Sequence, residues 1–219
     1  MQATSADDFR TFIERGDADA VSAALNADGA LANSTVHWYL NQPNESDPLH
    51  FVSDCVGNGL LTNEREGEIA SLLLAHGALI NGSPGREPPL IAAASLGADR
   101  VARVLIEAGA DLEATALFGA RALHWAAWTG ASAVVAMLIA KRAEMEMRCT
   151  EFGATPLFWA VHGYGPHGPD EKQDQIGAAR ALIEAGAEIA TANKHGESAL
   201  EMARRYDNAA MYELLRAAG

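Results

Sequence analysis

The chain has 219 residues, 49% hydrophobic and 21% charged, with 16 basic and 29 acidic side chains and a formal net charge of −13. That length allows one large domain or two small ones. The acidic balance, with no run of Lys and Arg, argues against nucleic acid or an anionic membrane as partner, because both need concentrated positive charge.

The opening MQATSADDFRTF carries acids where a secretion signal needs a basic and then an apolar stretch. No apolar run approaches the ~20 residues that span a bilayer. A cytoplasmic protein is therefore expected. Cys55 and Cys149 have neither CxxC nor metal-finger spacing, and they read as reduced thiols. A disulfide between them stays open at this level, because pairing depends on geometry.

In chain order, DDFRTFIERG (7–16) reads as a helix and AALNADGALAN (23–33) as a weak copy of a motif that recurs later. A long loop follows, containing VHWYLNQPN (36–44), with the aromatic pair Trp38 and Tyr39. Then DPLHFVSD, PPLIAAASLG, RALHWAAWTG, TPLFWAVHG and SALEMARRYD line up on Leu49, Leu90, Leu123, Leu157 and Leu200, at spacings of 41, 33, 34 and 43. The first four are each followed by a second motif: LLLAHGALIN, VLIEAGADLE, MLIAKRAEME or ALIEAGAEIA.

The residue types explain the pattern. Thr155-Pro156 and Asp47-Pro48 offer a side-chain cap followed by proline at the first helical position, where no amide bond is lost. Val101, Val104 and Leu105 fall at i, i+3, i+4 spacing. Gly77, Gly97, Gly109, Gly130 and Gly186 stand where a helix must end in the left-handed conformation. Each unit thus reads as helix, tight turn, helix and extended loop.

These motifs resemble the ankyrin repeat, with its period of 33 and T-P-L-H-x-A core. The resemblance runs from about Asp7 to Gly219. It implies an all-α ankyrin-repeat solenoid of about six units (7–46, 47–87, 88–120, 121–154, 155–197 and 198–219) in a single domain over 1–219, the outer two being caps. Phe158 and Ile91 replace the usual histidine, and Arg142 the usual glycine.

Two stretches break the register. The distance from His50 to Gly77 is 27 residues and from Phe158 to Gly186 is 28, against 18 from Ile91 to Gly109. Units two and five therefore carry insertions between their helices, VGNGLLTNEREGE (56–68) and YGPHGPDEKQDQ (164–175). Such insertions often lie on a binding face; helix extensions or idle loops are equally compatible with the spacing. The string GYGPHG (163–168) is not a dinucleotide fingerprint, since a helix rather than a strand precedes it and Pro166 lacks an amide.

In ankyrin domains the first helices and loops line a groove, so the residue four after the histidine position is expected there: Asp54, Ser95, Trp128, His162 and Arg205. Trp38, Tyr39, Phe118 and Phe152 are loop aromatics that could join them. Trp125 and Trp159, equivalent to Phe51, Ala92 and Met202, are expected to form a core ladder. His50 and His124 are expected to tie backbone groups together. The resemblance implies a monomeric protein-interaction module binding another protein, without cofactor or catalysis. The alternative is a small-ligand or metal site, with a catalytic role open to it, near Trp128, His162 and the 163–175 insertion, where His167, Asp170, Glu171 and Asp174 could help hold a divalent ion.

Overall fold

A computed structural model describes residues 4–61, 63–165 and 173–219. The chain divides into two compact units, Met1–Asp111 and Leu112–Gly219. Among the described residues no helix is long and apolar enough to cross a membrane.

The first unit holds α1 (Ala6–Glu14), α2 (Ala18–Ala27), a 3-10 turn (Gly29–Asn33), β1 (Val36–Tyr39), β2 (Pro43–Ser46), α3 (Pro48–Gly57), α4 (Glu66–Ala75), α5 (Pro89–Ser95) and α6 (Asp99–Glu107). Ser5 and Asp17 start α1 and α2 by accepting the Asp8 and Ala20 amides, which satisfies donors that the helix cannot. The first helices of the pairs stack α1 on α3 on α5, and the second helices α2 on α4 on α6. Alanine makes the stacking close: Ala92, Ala93 and Ala94 of α5 are fully buried. Phe9, Ile13, Phe51, Ile69 and Leu105 fill the space between layers.

The expectation of an all-α chain needs one correction. The loop 34–46 contains an antiparallel hairpin, with Val36 opposite Ser46 and Tyr39 opposite Pro43. Val36, His37, Trp38 and Tyr39 alternate buried, exposed, half-buried and exposed, the period-2 pattern of a strand with one covered face. Asp47 is also not the helix cap that Asp47-Pro48 suggests, since its side chain makes no capping bond to α3. Its carboxylate instead accepts the Ser83 amide at 2.6 Å and hydroxyl at 3.0 Å, and pairs with Arg86 at 3.5 Å.

The first insertion is largely accounted for by structure. Helix α3 has 10 residues against 7 for α5, and Asn63 donates to the carbonyls of Arg15 (2.9 Å) and Gly16 (3.3 Å), strapping the insertion to the α1–α2 turn.

His50 is half-buried among acceptor groups. Its Nδ1 lies 3.1 Å from the Glu87 carbonyl, which can only accept, so Nδ1 carries a proton. Nε2 then faces Asp54 Oδ1 at 3.5 Å and Glu87 Oε2 at 4.0 Å, a position for a second proton rather than a lone pair. Burial opposes the charge, but the Asp54 bond and charge together with the Glu87 contacts outweigh it and raise the pKa above 6.5. Because the folded value lies above the unfolded one, the stabilisation is complete below about pH 6.5 and is lost as pH rises through the raised folded value. The denaturation midpoint should therefore fall over that interval, and His50→Gln should flatten this part of the profile. Parallel profiles for the two proteins would refute the assignment.

The second unit holds a 3-10 turn (Leu117–Gly119), α7 (Ala122–Thr129), α8 (Ser132–Ala140), α9 (Pro156–Tyr164), α10 (Gln175–Glu184), α11 (Ala199–Arg205) and α12 (Ala209–Ala218). Here α7 packs on α9 and α9 on α11, with α8 on α10 and α10 on α12. Thr155 caps α9 by accepting the Phe158 amide. Arg142 takes φ +67° where the repeat favours glycine. His124 is bonded differently from His50: its Nδ1 accepts the Arg121 amide at 3.3 Å and its Nε2 donates to the Ala154 carbonyl at 3.2 Å. Burial brings its pKa down to about 4.

Candidate functional site

Three loop tips in the second unit are joined edge to edge. The Phe118 carbonyl accepts from the Glu151 amide (3.1 Å) and the Thr150 hydroxyl (3.0 Å), and the Phe152 carbonyl accepts from the Lys194 amide (3.0 Å). Phe118 adopts φ +65°, a conformation costing a non-glycine residue roughly 1–2 kcal/mol. The surrounding contacts hold it there, with the Phe118 ring centroid 5.3 Å from Phe152, 6.1 Å from Trp125 and 6.3 Å from Trp159.

The first helices supply the other wall. Trp125 of α7 meets Trp159 of α9 at 5.0 Å and Trp128 at 5.8 Å, with interplanar angles of 76° and 88°. Edge-to-face packing of this kind holds rings without stacking them flat. The C-terminus of α7, which carries Trp128, is fixed by the segment entering α10: Gln175 Nε2 donates to the Trp128 carbonyl at 3.1 Å and the Asp174 amide to the Gly130 carbonyl at 3.0 Å. Gly163 lets α9 approach, since a Cβ there would lie 2.0 Å from the Trp128 oxygen.

Between these walls lies a cavity of about 470 Å³ bounded by Phe118, Trp125, Trp128, Phe152, Phe158, Trp159, Met202 and Tyr206, with His162, Asn193, His195, Glu197 and Arg205 as its polar groups. Trp128 is 39% exposed and Phe152 38%. Arg205 donates to both Glu197 oxygens, at 2.6 and 3.2 Å, and its guanidinium lies 4.7 Å over the Tyr206 ring. Solvent reaches His162, yet packing around its ring and then the Arg205 charge lower its pKa below the ordinary value.

Five of the expected site residues, Trp128, His162, Arg205, Phe118 and Phe152, therefore border one cavity. The other four belong to the first unit. Asp54 corrects the expectation of a groove-facing carboxylate: it is buried, accepting from the Ser46 hydroxyl at 2.7 Å and facing His50. Ser95 is half-buried, and its hydroxyl donates to the Ala92 carbonyl. Trp38 packs 5.6 Å from Phe51 and donates to Ser46, which leaves Tyr39 as the exposed hairpin aromatic, 70% accessible.

The core-ladder expectation is half right. Trp159 is buried, but both it and Trp125 also border the cavity. Glu197 and Tyr206 carry no motif of their own in the sequence; the available signal is that Tyr206 directly follows Arg205. Of the suggested metal ligands, His167, Asp170 and Glu171 lie outside the described residues. Among the described residues no three His, Cys, Asp or Glu side chains gather as a metal site requires. Cys55 and Cys149 are both buried and unpaired.

Residues 90–139 match the family model for ankyrin repeats (many copies). The match spans residues 90–139 alone and supports an ankyrin-repeat protein at the level of the family. No curated protein matches it.

Proposed function

We propose that the protein is an interaction module that holds a segment of a partner protein at the aromatic cavity of its second unit, without catalysis of its own. The observation that carries this reading is the cavity itself: three indoles and three phenylalanine rings converge on it, with Trp128 and Phe152 partly open to solvent. Aromatic anchors in a desolvated pocket are the usual source of binding energy at an interface. Ankyrin repeats generally serve as protein-interaction modules, which agrees. Glu197 and Arg205 are committed to one another, which suits a polar rim rather than reacting groups.

In this reading the six helix pairs among the described residues are successive ankyrin units of one domain over 1–219, the outer pairs acting as caps, and the protein works as a cytoplasmic monomer. Its buried free thiols suit a reducing compartment. The acidic charge of −13 disfavours nucleic acid.

Trp128→Ala tests the site. It should weaken partner capture from native extract by about thirtyfold, the scale of a hot spot of ~2 kcal/mol. Because the ring is 39% exposed, the denaturation midpoint should move by less than about 1 kcal/mol equivalent. A large loss of stability, or an unchanged set of captured proteins, would remove Trp128 from the site. A second reading, a small ligand, is favoured by the cavity volume of about 470 Å³, within the range of ligand pockets.

A further inference from the structure

The cavity is chemically one-sided. Trp125, Trp128 and Trp159 present indoles to it, and the electron-rich face of tryptophan attracts cations more strongly than any other side-chain ring. The protein already places its own cations against rings of the rim: Lys194 Nζ is 5.8 Å from the Phe152 centroid, and the Arg205 guanidinium is 4.7 Å from that of Tyr206. Lys194 is further tied to the Glu151 carbonyl.

An anionic ligand would meet a wall of π-rich rings, and Arg205 is already neutralised by Glu197. His162, with its pKa lowered, adds no charge at neutral pH. The second unit is net acidic, 13 acidic against 10 basic side chains. A bare ammonium would lose more hydration on entering such walls than they return. An alkylated ammonium keeps its charge, is poorly hydrated and buries its methyl groups.

We propose that the cavity accepts an alkylated ammonium head of the trimethylammonium type, seated against Trp125, Trp128 and Trp159. This rests on the reading of the cavity as the binding site.

Titration of the full chain by tryptophan fluorescence, with choline and with its uncharged carbon isostere 3,3-dimethylbutan-1-ol, tests it. Choline should bind about tenfold more tightly than the isostere. Trp128→Leu keeps an apolar wall but removes an indole of the seat, and should bring the two ligands to within about threefold. Equal binding of both ligands by the unaltered protein, or no saturable binding of choline, overturns the assignment.

A peptide carrying trimethyl-lysine separates the sources. Binding at least about tenfold tighter than choline assigns the head to a partner chain. A peptide no tighter than choline keeps the ammonium assignment, makes its source a free small molecule and counts against the partner reading. If choline fails while Trp128→Ala still abolishes partner capture, the ammonium assignment falls and the partner reading stands.

Discussion

Replacing Trp159 by alanine is expected to destabilise the second unit by about 3–5 kcal/mol, the usual cost of removing a buried tryptophan. The indole is 6% exposed and lies within ring-contact distance of four others: Trp125 at 5.0 Å, His124 at 5.5 Å, and Phe118 and Phe152 at 6.3 Å each. Its loss would strip neighbours from the loop tips and from the histidine that ties the turn, so a simple collapse of the hole is blocked. Equilibrium urea denaturation of the full chain measures it. Trp159→Phe, which retains a ring, should recover more than half of the loss. A change below about 1 kcal/mol for the alanine variant would show that Trp159 is only a wall of the cavity and not part of the core.

Gly163→Ala should cost about 3 kcal/mol, the upper range for overpacking, although alanine in a helix is otherwise favoured over glycine by roughly 0.5–1 kcal/mol. The sign is thus opposite to propensity. The added Cβ would stand 2.0 Å from the Trp128 carbonyl oxygen and 2.9 Å from its Cα, and these backbone atoms cannot rotate aside. The same carbonyl receives Gln175, so α7 cannot retreat without losing that bond. Partner capture should fall with stability, because the displaced residue is Trp128 itself. At Gly29 an added methyl meets nothing, and Gly29→Ala should lie within about 0.5 kcal/mol of the parent. Stabilisation by Gly163→Ala would mean that α7 and α9 are not in close contact there.

The pair His50 and His124 shows how far sequence reading reaches. Both occupy the same place in the same motif, and both tie backbone groups as that motif implies. Their pKa values nonetheless shift in opposite directions, because the residue four positions later is Asp54 in one case and Trp128 in the other, and because Glu87 closes on His50 from 37 positions away. Asp54, read as a groove residue, is spent on that histidine and on Ser46. Trp38 is drawn inward by the same Ser46, which leaves Tyr39 exposed.

By itself the sequence marked the helical stretches and the places where the register breaks, because caps, glycine stops and apolar spacing act within a few residues of one another. It also marked Trp128, His162, Arg205, Phe118 and Phe152 as candidates. The tertiary structure alone decided that these five share one cavity with Trp125, Trp159 and Glu197. That choice depends on rings and loop tips brought together from about 30 or more positions apart, such as Thr150 on Phe118 and Lys194 on Glu151. Packing of successive helix pairs, α7 on α9 and α9 on α11, brings these residues to one cavity; the pattern within any one pair does not.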